Sequence, residues 1–137
     1  MKIIVCGSMK ISEKMVEAKR SLEGSGHQVL IPRFAEEYAK GKKQEESSSE
    51  SIENKIEGDL IRDYYHQIEK GDVLLVVNEK LRKIDSYIGG NTFLEMGFAH
   101  VLGKKIFLLN GIPDISYKAE IIAMQPKCLK GDLGLMK

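Results

Sequence analysis

Five consecutive apolar residues, Val73-Leu74-Leu75-Val76-Val77, interrupt a chain that is otherwise mixed in polarity. A strand sends successive side chains to opposite faces. An unbroken apolar strand therefore has no face to give to water and needs cover on both sides, as a central parallel strand does. Other short apolar runs flank it: Lys2–Cys6, Gln28–Ile31, Lys105–Leu109 and Lys127–Leu129. Between them the apolar spacing becomes helical. Ile11, Met15, Ala18 and Leu22 form one stripe, in a helix expected to start near Ser12 as N-cap and to stop at Gly24 and Gly26. Ile56, Leu60, Ile61, Tyr64 and Ile68 form a second stripe over about Ile52–Glu69. A third helix is expected over Thr92–Leu102 and a short one over Lys118–Met124. Alternating strands and helices without repeats predict an α/β fold, a doubly wound parallel sheet of about five strands with helices on both faces.

A length of 137 residues fits one domain over 1–137. A domain of this size needs no disulfide or metal to hold it. The net charge of +1 gives no electrostatic case for nucleic acid or a membrane surface. No apolar run approaches the roughly 20 residues that cross a bilayer. Met1-Lys2 leads directly into a strand with no signal-peptide core, so a cytoplasmic location is expected. Cys6 and Cys128 lack metal-ligand spacing and are expected to be buried thiols, and His27, His66 and His100 are scattered. No metal and no cofactor is assigned. From Glu36 to about Ser51, Lys, Glu, Gln and Ser dominate. With few apolar anchors this stretch is expected to be a mobile polar insertion, either a plain solvated loop or a lid bringing Lys42 and Lys43 to an anion.

Ligands of open α/β sheets bind outside the carboxyl ends of the strands. Three turns are expected there: Gly7-Ser8-Met9 after the first strand, Gly89-Gly90-Asn91-Thr92 before the third helix, and Asn110-Gly111 after the fourth strand. Asn78, at the end of the Val73–Val77 run, joins them as a candidate binding residue. Gly7 is expected to admit a ligand close to the backbone, and Ser8 adds a hydroxyl. The pattern is neither a dinucleotide fingerprint nor a P-loop. Glu95 is the acid of this region. Thr92-Phe93-Leu94-Glu95 reads as a capping box, which would turn Glu95 back onto its own helix. Against that, Gly89-Gly90 permits close approach. Gly97 inside the helix, at about 1 kcal/mol relative to Ala, implies tight packing against the sheet or a ligand.

The run Gly90-Asn91-Thr92 through Glu95-Met96-Gly97-Phe98-Ala99, then Gly103-Lys104 and Ile106–Leu109, resembles the signature of the nucleoside 2-deoxyribosyltransferase superfamily. That group includes deoxynucleoside 5'-monophosphate N-glycosidases. Cys6-Gly7-Ser8-Met9 resembles the first turn of the N-glycosidase branch, and Gly26-His27-Gln28-Val29 also fits. The resemblance implies a Rossmann-like, flavodoxin-like fold and cleavage or transfer at an N-glycosidic bond, with Glu95 as nucleophile on the anomeric carbon. The partner implied is a nucleoside or nucleoside 5'-monophosphate, with Gly7, Ser8, Met9, Asn78, Gly89, Gly90, Asn91, Thr92 and Asn110 binding it. The family's second acid falls near Tyr64, with Asp63 the neighbouring carboxylate, and Gly89 stands where many members carry Asp or Ser. The resemblance also implies a homo-oligomer. Gly89-Gly90-x-Thr92-x-x-Glu95 also resembles the phosphoribohydrolases, without their Pro or second Glu. A non-catalytic nucleotide-binding module of the same fold is the alternative of another class.

Overall fold

The computed structural model describes residues 1–41 and 59–136. Five strands, β1 (Lys2–Cys6), β2 (Gln28–Leu30), β3 (Val73–Val76), β4 (Lys105–Leu108) and β5 (Lys127–Cys128), form one sheet. Their order is β2-β1-β3-β4-β5 and every pairing is parallel. This is the flavodoxin-like order, whose direction of winding reverses between β1 and β3. Among the described residues the helices are α1 (Ser12–Gly24), α2 (Ala35–Ala39), α3 (Leu60–Lys70), α4 (Gly90–Val101) and α5 (Lys118–Ala123). Short 3-10 turns cover Met9–Ile11 and Leu133–Leu135.

The apolar run of β3 is explained by two separate cores. Val73, Leu75 and Val77 point into one, with Ile3, Val5, Phe107 and the Met15, Ala18 and Leu22 stripe of α1. Leu74 and Val76 point into the other, with Ile4, Cys6, Ile106, Leu108, Tyr64 and Ile68 of α3 and Met96 and Ala99 of α4. Burying each of these large side chains contributes about 1.5–3 kcal/mol relative to exposure. A polar substitution anywhere in β3 has no solvent face to turn toward.

Several expectations are corrected. Ser8, not Ser12, caps the first helical turn: its Oγ accepts from the Lys10 N–H at 3.2 Å, while Ser12 is buried inside α1. The polar stretch expected to be mobile from residue 36 begins with α2, anchored by the buried Ala35 and packed against α1. Residues 42–58, with Lys42, Lys43, Ile52 and Ile56, lie outside the described residues. Ile61 is 40% exposed and leaves the second stripe, since it is rotated about 100° from Leu60. Cys6 is buried, but Cys128, on an edge strand, is only partly covered. No helix among the described residues is long and apolar enough to cross a membrane.

The glycines separate by what a side chain would meet. At Gly7 a Cβ would lie 2.8 Å from the Val77 carbonyl oxygen and 3.3 Å from Met15 Sδ. Close approach is needed there by the end of β3. At Gly97 no heavy atom lies within 4 Å of a Cβ, so the tight packing expected of it is absent. Gly97→Ala is therefore expected to raise the urea-unfolding free energy by about 1 kcal/mol, and Gly7→Ala to lower it by about 1–3 kcal/mol through overpacking.

Candidate functional site

Where the winding reverses, the loops after β1 and β3 part and leave a cavity of about 470 Å³ at the carboxyl edge of the sheet. That volume lies within the range of small-molecule sites. Gly7, Ser8, Met9 and Lys10 contribute from the β1 loop, Pro32, Arg33, Phe34 and Tyr38 from beyond β2. Leu60, Asp63 and Tyr64 of α3, Leu81, Arg82 and Tyr87 of the β3–α4 loop, and Gly89 through Thr92 with Glu95 complete it.

Glu95 is placed by the start of α4. Gly89 is the N-cap, extended at φ −82° and ψ 173°, with no side-chain cap bond. Thr92 is already helical and buried, so the Thr92–Glu95 capping box does not form. A cap at Gly89 moves Glu95 into the second turn, from which its side chain lines the cavity. The N–H groups of Gly90, Asn91 and Thr92 have no acceptor within the helix, as at any helix start, and these residues line the same cavity.

Beneath Glu95 lie two buried acids that stay neutral. The Tyr64 hydroxyl donates to the Val5 carbonyl. Burial first, and the Glu95 carboxylate second, hold the Tyr64 phenol well above its ordinary 10.0. The same two causes hold the Cys6 thiol well above 9.0. Tyr64 lines the cavity with Glu95, and Cys6 is buried outside the lining yet close enough to feel the Glu95 charge.

Asp63, the other expected catalytic acid, is at the cavity wall, where its carboxylate accepts from Arg33 Nη2 at 3.2 Å. The pair ties α3 to the segment after β2. Tyr64 occupies the inner position on the same helix. Gly7, Ser8, Met9, Gly89, Gly90, Asn91 and Thr92 all reach the cavity, as does Glu95. Asn78 and Asn110 do not line it. Asn78 is fully buried and every polar atom of its side chain is engaged: Nδ2 donates to the carbonyls of Gly111 at 2.8 Å and Ser86 at 3.3 Å, and Oδ1 accepts from the Asn110 N–H at 3.0 Å. Asn110 Nδ2 returns a bond to the Asn78 carbonyl at 2.9 Å. Their role in the structure is to join the ends of β3 and β4. The sequence reading missed Phe34, Tyr38, Arg82 and Tyr87. Phe34 and Arg82 have positive φ, which only the folded backbone reveals. Among the described residues, no group of three or more His, Cys, Asp and Glu is placed to hold a metal ion.

The fold and the site edge thus define a flavodoxin-like parallel α/β domain with a cavity at its switch point. No protein-family profile and no curated protein sequence matches the chain. Among solved structures it is similar to a 2-deoxyribosyltransferase from Bacillus psychrosaccharolyticus, at TM-score 0.50 and 21% identity over 79% of this chain and 71% of that one. It is also similar to the Clostridium botulinum CMP N-glycosidase BcmB, at TM-score 0.51 and 18% identity over 93% of this chain and 85% of that one. At these identities the likeness establishes the fold, and that fold is the one the sequence resemblance implies.

Two outcomes follow from the geometry. Asn78→Ala strips partners from three loop groups, each costing about 1–3 kcal/mol when buried unpaired. It is expected to lower the unfolding free energy by more than about 2 kcal/mol, read by urea denaturation. The second concerns alkaline pH. Cys6 and Tyr64 stay protonated in the folded chain after the unfolded chain has lost those protons, so the unfolded state binds fewer protons above pH 9.0 for the thiol and above pH 10.0 for the phenol. Stability then falls as pH rises through that window, by about 1.4 kcal/mol per pH unit for each group. Cys6→Ala is expected to remove one such contribution, flattening the decline in unfolding free energy between pH 9 and 10.

Proposed function

We propose that this chain cleaves or transfers the N-glycosidic bond of a nucleoside or nucleotide, with Glu95 as the nucleophile. The observation that carries the proposal is the Gly89 cap: it frees Glu95 from the capping role and turns it into the cavity at the switch point. Support for the chemistry comes from the motif around Glu95 and from the likeness to a 2-deoxyribosyltransferase and a CMP N-glycosidase.

The step requires a carboxylate beneath the anomeric carbon. A Glu95 oxygen donates its electron pair to that carbon as the carbon–nitrogen bond breaks, and the base departs with the bonding pair. The positive charge that develops on the sugar in the oxocarbenium-like transition state is stabilised by the same carboxylate. The product is a glycosyl ester of Glu95. Water then attacks the anomeric carbon in hydrolysis, or a second base does so in transfer, and Glu95 is released as carboxylate. Cys6 and Tyr64, both held protonated by burial and by the Glu95 carboxylate, add no negative charge next to it. The departing base takes a proton from solvent or from a group at the rim, where Asp63 is the carboxyl side chain present.

The Arg33–Asp63 ion pair favours a second reading, since it commits the rim carboxylate to a structural partner. In that reading the cavity binds a nucleotide without turning it over. The two are separated by Glu95→Gln, assayed for free-base release over a panel of nucleosides and 5'-monophosphates. An enzyme loses release by about a thousandfold or more with binding retained. A binding module releases no base in either form and binds equally well in both. Adding a second base to the wild-type reaction distinguishes transfer from hydrolysis.

A further inference from the structure

The cavity has two chemically different sides, and the strand order puts them on opposite sides of β1. On the β2 side the lining from Pro32, Phe34, Tyr38 and Leu60 is aromatic and apolar, with Arg33 already paired to Asp63. On the β3 side stands Arg82, with Tyr87 against it: the guanidinium carbon lies 5.7 Å from the Tyr87 ring centroid. Arg82 is exposed and lines the cavity, and it has no carboxylate at ion-pair distance among the described residues. The neighbouring Lys80, by contrast, is paired with Asp85 at 3.9 Å.

The backbone that carries Arg82 is unusual. Leu81 and Ile84 pair as an isolated antiparallel bridge, with N–H···O bonds of 3.1 and 2.9 Å in both directions. The two residues between them, Arg82 at φ 54° and Lys83 at φ 63°, are both left-handed. Such a two-residue hairpin normally uses Asn-Gly or Gly-Gly, because long side chains are disfavoured at positive φ. Here the sequence keeps Arg and Lys at the strained positions. The loop is held rigid by the Asn78 clamp, by the Gly111 N–H to Ser86 Oγ bond at 3.1 Å and by the Tyr117 hydroxyl donating to the Ile88 carbonyl. A rigid hairpin whose strain is compatible with easier residues, but which presents a guanidinium to a cavity, is the pattern of a preorganised binding group.

We propose that Arg82 is the specificity-determining residue for a 5'-phosphate. The substrate then lies with its base against the Pro32, Phe34 and Tyr38 wall, its sugar over Glu95, and its phosphate against Arg82. A planar guanidinium matches a phosphate with two parallel N–H···O bonds. Phe34 and Tyr38 offer a base aromatic surface on the side away from Arg82, whose own aromatic neighbour is Tyr87. This inference rests on the proposed glycosidic reading for the placement of the sugar, but the phosphate preference is measured by binding alone.

The test uses Arg82→Asn, because Asn accepts the left-handed region and keeps the hairpin while removing the cation. Calorimetric titrations of the wild-type, Glu95→Gln and Arg82→Asn proteins compare each common nucleoside with its 5'-monophosphate. The wild-type and Glu95→Gln proteins are expected to bind one monophosphate at least about tenfold more tightly than its nucleoside. In Arg82→Asn that ratio falls to within about threefold, through loss of monophosphate affinity and not gain of nucleoside affinity. Its thermal midpoint, no lower than wild type, shows that folding is intact. A tenfold preference that survives in Arg82→Asn, or a wild-type protein that binds nucleosides as tightly as monophosphates, overturns the proposal. A preference that depends on Arg82 in a protein that releases no base sustains it while removing the chemistry assigned to Glu95.

Discussion

A buried amide at the end of β3 holds the working edge of this molecule together. Asn78 binds Ser86, Asn110 and Gly111, so one side chain fixes the loop after β3 and the turn after β4. The sheet itself cannot do this, since its ladder stops at Val76 and Leu108. Buried polar groups are costly unless satisfied and rigidifying when they are. Asn78 is fully buried, with both ends of its amide engaged, and no buried side-chain polar atom among the described residues lacks a partner. From that anchor the chain runs through the hairpin at Arg82 and Lys83 to Gly89, where α4 begins. The register of that start decides which way Glu95 points.

The electrostatics of the cavity follow from the same placement. One carboxylate sits above two groups that burial and its own charge keep protonated. An isolated charge deep in an apolar interior would be prohibitive, but Glu95 is only partly covered and opens to the cavity. The left-handed Arg82 and Lys83 cost about 1 kcal/mol or more each, a loss that the interlocked loop sustains. The folding core supplies a rigid frame, and the left-handed Phe34 and Arg82 both line the cavity at its edge.

Much of the fold was legible because its signals are local. The apolar run Val73–Val77 carries its two-sided burial in its composition, and β1 runs from Lys2 to Cys6 as read. The site was legible where turns and glycines mark it: Gly7 through Met9 and Gly89 through Thr92 all reach the cavity. What could not be read depends on distant parts of the chain. Whether Thr92 or Gly89 caps α4 depends on where the Asn78 clamp delivers the chain. Asn78 and Asn110 look like binding residues because Asn at a strand end serves either purpose, and only their mutual bonds distinguish the two. Phe34 and Arg82 enter the cavity through positive φ values that neither residue type signals.

The central claim is that Glu95 forms a bond to the sugar. It is tested most directly by mass spectrometry of the protein quenched in acid during turnover of a slowly hydrolysed 2-fluoro-substituted nucleoside or nucleotide. The account predicts that the intact mass rises by one glycosyl group and that the adduct maps to Glu95, within the peptide of residues 84–104. Release of the base with that peptide unmodified would contradict it, as would an adduct on any other side chain.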